Sequence, residues 1–284
     1  MDNFFAIFHV ISESFPELYD IFASDVVSPV SLSLVQVLDM IAEGKADEAK
    51  LIWANLLGLK ENATSRVIDF NGSEFQRFVS VFSRTWLQHN LEVTCDSCMF
   101  VSTRTVCGIT LTHWPEEMWD NFEHVFSMWL CPPATGRICI QCSSELPGSR
   151  RLFKAFPSVL VIEIPAEFCQ QRTLSPQNLA PIVAIPNKLL EEDSTDNDYL
   201  LGALYQLAGY TFANGYHFSG AFQSSRINSL AHAWYIYDGL TGHRHIGALP
   251  PHTPPGYSLS YVVYSLLPPV YIHVAINYLR WLKF

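Results

Sequence analysis

Two Cys-x-x-Cys pairs, Cys95-Asp96-Ser97-Cys98 and Cys139-Ile140-Gln141-Cys142, constrain this chain more than any other feature, because they tie together segments 40 residues apart. A Cys-x-x-Cys turn lets two thiolates reach one metal ion, and two such turns complete a tetrahedral zinc site. Four thiolates leave no open position for water, so the zinc expected here is structural. The stretch between the pairs is longer than in a compact zinc ribbon and must leave and return. Trp119, Phe122, Phe126, Trp129 and Leu130 recur within it at helical spacing, which predicts a short amphipathic helix for the excursion. Buried, unmetallated thiols are the competing reading of the pairs. Cys107, Cys131 and Cys169 have no such partners and read as small core residues.

Around this clamp the chain changes character. Phe4, Phe5, Phe8 and Ile11 share one helical face, as do Leu32, Val35, Leu38 and Ile41 before Gly44, and Ala49, Ile52, Trp53 and Leu56 before Gly58. Ser73 caps a further segment with Phe75, Phe78, Val79 and Phe82 on one side. Beyond Thr94, β-branched runs bounded by Pro and Gly predict strands. They fall at Val106 to Leu111, Val159 to Ile164, Tyr199 to Gln206, His217 to Phe222, Ala233 to Tyr237 and Tyr257 to Leu266. Glu191 to Asp198 is an acidic run that reads as an exposed loop. Helices first and an antiparallel sheet afterwards describe an α+β fold.

Charge narrows the partners. The chain has 17 Lys and Arg against 27 Asp and Glu, a balance that repels phosphate backbones and leaves nucleic acid an unexpected partner. Asp2 stands where a secretory signal carries positive charge, so the cysteines are expected in a reducing compartment, cytoplasm or nucleus. Tyr257 to Leu267 and the apolar tail from Val270 are together long enough to span a bilayer. Pro268-Pro269 and the period-two pattern argue against one continuous helix, so no membrane partner is expected.

A second constellation lies near the C-terminus. Asn214-Gly215-Tyr216 delivers His217 to the start of one strand, and Ala233 to Tyr237 ends in Asp238. Were the strands adjacent and antiparallel, Asp238 would orient the His217 imidazole as a base for a nucleophile. A histidine on a strand is commonly structural, and only geometry separates the two readings.

Taken together, these features resemble the ubiquitin-specific proteases, which are papain-like cysteine peptidases, over residues 1–267. The family's histidine box, its Trp-x-x-Phe-Asp element and its closing Tyr-x-Leu-x-Tyr strand are matched by His217-Phe218, by Trp234 to Asp238, and by Tyr257 to Tyr261. Tyr199 to Tyr205 looks like the strand before the family's blocking loop, with Ala208 to Tyr216 as that loop. Phe156 to Ile162 resembles the strand after the second cysteine pair, and Glu74-Phe75 with Phe78 and Val79 a helix of the thumb. The resemblance implies a helical thumb over 1–90, zinc-ribbon fingers over 91–155 and a β-rich palm over 156–267, followed by a tail, 268–284. It implies His217 and Asp238 as catalytic base and orienter, Cys95, Cys98, Cys139 and Cys142 as zinc ligands, and ubiquitin or a relative such as SUMO as partner.

Three departures stand against it. The family's helix opens Asn-x-Cys-Tyr-Met-Asn-Ser, and Met1 to Phe5 looks like the part starting at that Met, so the nucleophilic Cys is expected upstream of Met1 and is missing from this sequence. Gly215-Tyr216-His217 has one residue more between Gly and His than the family's box, and Gly239 stands where many members have a second acid. His243 and His245 follow a turn and read as solvated. Three functions remain: a deubiquitinase, an inactive pseudoprotease scaffold, and a zinc-ribbon nucleic-acid module. The loss of a nucleophile favours the second over the first. The acidic balance disfavours the third.

Overall fold

The computed structural model describes residues 36–37, 39–40, 43–56, 58–59, 88–111, 116–118, 120–134, 136–157, 159–165, 175–191, 202–215, 217–224, 233–238, 242–247 and 251–267. The helices expected around Phe4 and Phe75, Cys169, most of the acidic run and the tail lie outside the described residues. The described helices are α1 (Ala46–Leu56) and α2 (Phe122–Leu130). The strands are β1 (Gln88–Thr94), β2 (Val101–Cys107), β3 (Ile109–Thr110), β4 (Arg150–Leu152), β5 (Val159–Glu163), β6 (Ile182–Pro186), β7 (Gly202–Ala213), β8 (Phe218–Ser224), β9 (Ala233–Asp238), β10 (Gly242–Gly247) and β11 (Ser258–Leu266). The fold is therefore mixed, with strands outnumbering helices among the described residues. No described helix is long and apolar enough to cross a membrane.

The chain divides into two units that interleave along the sequence, Met1–Ser83 with Ala208–Tyr261, and Arg84–Leu207 with Val262–Phe284. In the first unit the strand order is β10-β9-β8-β7, every pairing antiparallel. Tyr210, Phe212, Phe222 and Trp234 are buried there. The Tyr210 ring meets those of Phe212 and Trp234, each at 5.3 Å, and its hydroxyl donates to the Pro251 carbonyl at 2.9 Å. The Phe222 ring lies over two glycines, Gly209 across the strand pair and Gly220 two positions back on the same face.

In the second unit β6 pairs with β7, and the sheet continues through β11, β5 and β3, with β3 and β5 parallel. A separate three-stranded sheet has the order β2-β1-β4. Helix α2 starts where the Asn121 side chain accepts the His124 N–H at 3.1 Å, and it stops before Pro132-Pro133. It buries Phe122, Val125, Phe126, Trp129 and Leu130, the apolar stripe expected of it. Phe122 stacks on Tyr264 at 5.8 Å, and the Tyr264 hydroxyl donates to Ala180 O at 2.8 Å. Trp129 meets His89 of β1 at 5.2 Å, and the Arg151 guanidinium of β4 lies 4.0 Å over the Trp129 ring while donating to the Trp129 carbonyl. Burial lowers Arg151 to about 10.

Two elements differ from expectation. The strand expected at Val106 to Leu111 is broken at Gly108, whose φ of 81° turns the chain between β2 and β3. Residues 208–213, expected in a loop, extend β7: Gly209 to Ala213 pair with β8, and all of the stretch but Ala213 is buried.

Candidate functional site

Two constellations singled out from the sequence assemble, one in each unit. The cysteines come first. The Cys95 N–H donates to Phe100 O at 2.9 Å, and the Met99 N–H to Cys95 O at 2.8 Å. The second knuckle repeats this at the same offsets: Cys139 N–H to Ser144 O at 2.8 Å, and Ser143 N–H to Cys139 O at 2.9 Å. The residue after each second cysteine is left-handed, Met99 at φ 58° and Ser143 at φ 60°. That conformation costs a non-glycine residue about 1–2 kcal/mol, so it persists only where the surroundings impose it.

The two turns present their sulfurs to a common point. All four Sγ atoms lie within 4.8 Å of one another, with Cys95 to Cys142 at 3.6 Å and Cys98 to Cys139 at 3.7 Å. A tetrahedral zinc with Zn–S near 2.3 Å requires a sulfur–sulfur edge of about 3.8 Å. The cysteines are free thiols, and these separations are far beyond a disulfide of about 2.05 Å. The Ser144 hydroxyl and backbone hold the Cys142 thiol down at about 6. At Cys98 the Phe100 backbone favours the thiolate, yet desolvation and the neighbouring thiols outweigh it and push the thiol up to about 12. Thiols lose their protons on ligating a metal, so a cation at the centre of the four sulfurs would hold them as thiolates. The donor set and its geometry are compatible with a structural zinc ion.

The second constellation rests on the β7–β8 hairpin. Gly215, at φ 88°, takes the left-handed position in its loop. The Asn214 side chain accepts the His217 N–H at 2.8 Å, and the Asn214 N–H donates to His217 O at 3.2 Å. Asp238 ends β9 directly opposite Ser219 of β8. His217, two residues before Ser219, projects to the same face, and the diagonal brings the side chains into reach. His217 Nε2 and Asp238 Oδ1 are 2.9 Å apart, with the two side chains 24% and 25% exposed. With Asp238 on Nε2, Nδ1 is the nitrogen left to accept a proton from a reactant. The Tyr257 ring stands edge-on to the imidazole at 6.4 Å.

Sequence reasoning missed Met99 and Ser143, and it gave Asn214, Ser219 and Tyr257 no role of their own beside His217 and Asp238. The left-handed positions carried no glycine to announce them. Met1 and Gly239 lie outside the described residues. His243 and His245, read as solvated beyond a turn, stand on β10.

The four-cysteine cluster and the hydrogen-bonded His217 and Asp238 on adjacent strands are features that the resemblance to the ubiquitin hydrolases implies, and comparison with solved structures bears on that class. The Saccharomyces cerevisiae apo Pan2 pseudoubiquitin hydrolase–RNA exonuclease module matches at a TM-score of 0.63 and 14% identity, over 94% of this chain and 52% of that one. The Neurospora crassa Pan2 catalytic unit, with protease and nuclease domains, matches at 0.58 and 15%, over 94% and 56%. The Saccharomyces cerevisiae PAN2 pseudoubiquitin-hydrolase without the nuclease matches at 0.52 and 15%, over 94% and 85%. The chain thus spans about half the length of the two-domain structures and most of the pseudoubiquitin-hydrolase alone. No protein-family profile and no curated protein matches the sequence. The fold is ubiquitin-hydrolase-like, of the kind seen in the Pan2 pseudoubiquitin-hydrolase.

Proposed function

We propose that this chain is a ubiquitin-hydrolase-like domain of the ubiquitin-specific protease type that does not work by thiol catalysis, a pseudoprotease that binds ubiquitin or a ubiquitin-like modifier such as SUMO. One observation carries the reading. The unit that holds the His217–Asp238 pair contains no cysteine, because all seven lie between Cys95 and Cys169 in the other unit. His217 can take a proton from a nucleophile but supplies no thiolate, and losing the nucleophile removes essentially all covalent catalysis.

In the same reading Cys95, Cys98, Cys139 and Cys142 hold a zinc ion that clamps the two knuckles and takes no part in chemistry. The chain works, in this reading, in the cytoplasm or nucleus with a protein partner rather than nucleic acid, which its acidic balance supports. The intact His217–Asp238 hydrogen bond favours a second reading, a deubiquitinase whose longer chain supplies a cysteine to Nδ1 for attack on the isopeptide carbonyl. Titrating isotope-labelled ubiquitin, and separately SUMO, with the zinc-loaded chain tests the binding claim. Progressive shifts over one face of either modifier are expected; unchanged spectra with both up to the solubility limit would reject it.

A further inference from the structure

We propose that the four-cysteine cluster is a peroxide-sensitive site that closes, on oxidation, into two disulfides crossing between the knuckles, Cys95–Cys142 and Cys98–Cys139. The release of metal that accompanies closure rests on the zinc reading above; the connectivity follows from the sulfur positions alone.

The two sulfur pairs in contact, at 3.6 and 3.7 Å, both cross from one knuckle to the other. Each joins an exposed cysteine to a buried one: Cys142 to Cys95, and Cys98 to Cys139. A peroxide reaches the exposed sulfur first. The exposed thiolate forms an S–O bond as the peroxide O–O bond breaks and hydroxide leaves, giving a sulfenic acid. The buried thiolate beside it then attacks the sulfenic sulfur, an S–S bond forms, the S–O bond breaks, and a second hydroxide leaves. Four thiolates, two hydrogen peroxide molecules and four protons give two disulfides and four waters.

Closure to a disulfide of about 2.05 Å needs a sulfur movement of roughly 1.6 Å, which side-chain rotation supplies. A bond inside one knuckle would instead draw together the two ends of a turn already fixed by the Met99-to-Cys95 or Ser143-to-Cys139 hydrogen bond. Crossing bonds span 47 and 41 residues of sequence, so they keep the knuckles tied after the thiolate ligands are gone. The site would therefore give up its metal without letting the segment unfold, and a reductant with zinc would restore it.

The 284-residue chain, loaded with zinc, is treated with increasing hydrogen peroxide while a chromogenic chelator follows zinc release. Non-reducing trypsin digestion then reads the connectivity, because residues 85–104 carry both cysteines of one knuckle and 138–150 both of the other. The expected result is one species joining the two peptides, four hydrogens lighter than their reduced sum, lost on dithiothreitol. Fragmentation of that species should give Cys95–Cys142 and Cys98–Cys139. Agreement is expected from two double variants: Cys95→Ser/Cys142→Ser still cross-links through Cys98 and Cys139, whereas Cys95→Ser/Cys139→Ser cross-links far more slowly. Two separate peptides with internal bonds, over-oxidised cysteines without a cross-link, or no reaction would overturn the proposal. A chain that purifies without zinc yet cross-links this way defeats the metal reading alone; a zinc-loaded chain that forms knuckle-internal bonds defeats the connectivity alone.

Discussion

Gly220 and Phe222 should be coupled, and the coupling can be worked from the β7–β8 hairpin that carries His217. A Cβ added at Gly220 would lie 2.5 Å from Phe222 Cε2 and 2.8 Å from Cζ, while its next neighbour, Thr211 Cγ2, is at 3.6 Å, an ordinary contact. Gly220→Ala therefore pushes on a buried ring, and overpacking of this kind costs about 1–3 kcal/mol. Phe222→Leu removes the two clashing atoms at roughly 1–2 kcal/mol, a part of the 3–5 kcal/mol for full truncation. In that background Gly220→Ala meets no close atom, and alanine is better than glycine in a strand by roughly 0.5–1 kcal/mol. The double variant should then be as stable as Phe222→Leu or better, an interaction of about 2 kcal/mol or more between the sites. Urea denaturation followed by tryptophan fluorescence measures all four proteins. Gly209→Ala is the control, since its Cβ also strikes Ala221 O at 2.8 Å and stays unfavourable in both backgrounds. Additive effects of Gly220→Ala and Phe222→Leu, within about 0.5 kcal/mol, would refute the packing argument.

One zinc ion per chain is expected by elemental analysis, and a strong chelator should lower the melting temperature. Thiols must lose their protons to ligate, so zinc affinity and the stability it brings fall as pH falls. Replacing buried Cys95 or Cys139 with Ser should abolish zinc binding; full zinc occupancy in either variant would contradict the ligand set. Burial pushes the Tyr210 and Tyr264 hydroxyls up, so the folded chain keeps protons that the unfolded chain releases near pH 10. The stability from these groups is complete below about pH 10 and lost as pH rises above it. Tyr264→Phe should cost about 1 kcal/mol at neutral pH through the lost bond to Ala180 O and flatten the alkaline fall; an unchanged alkaline slope would count against burial as its cause.

Features set by spacing were legible in the sequence, and features set by tertiary cover were not. The Cys-x-x-Cys pairs announce themselves because ligand geometry fixes their spacing, and α2 because its apolar stripe has one period. β11 was legible from its alternation. Residues 208–213 misled because both faces of β7 are covered, leaving alanine, glycine and aromatic residues in an order without alternation. β1 was invisible: it reads as polar, yet His89 is buried between the rings of Trp129 and Phe153. The knuckles' left-handed Met99 and Ser143 carry no local signal, since neither is the glycine that usually marks such a position. His217 and Asp238 were legible as residues but not as geometry, because the register that sets Asp238 opposite Ser219 is a pairing between two strands and neither segment alone specifies it.

The most direct test of a ubiquitin-hydrolase-like domain without its own thiol nucleophile is incubation of the 284-residue chain with a ubiquitin-based thiol-reactive probe, followed by intact mass. The unmodified mass should persist, alongside no release of fluorophore from a ubiquitin C-terminal fluorogenic substrate. A ubiquitin adduct that forms on the wild-type chain and is lost on His217→Ala would contradict the pseudoprotease reading and identify a working nucleophile.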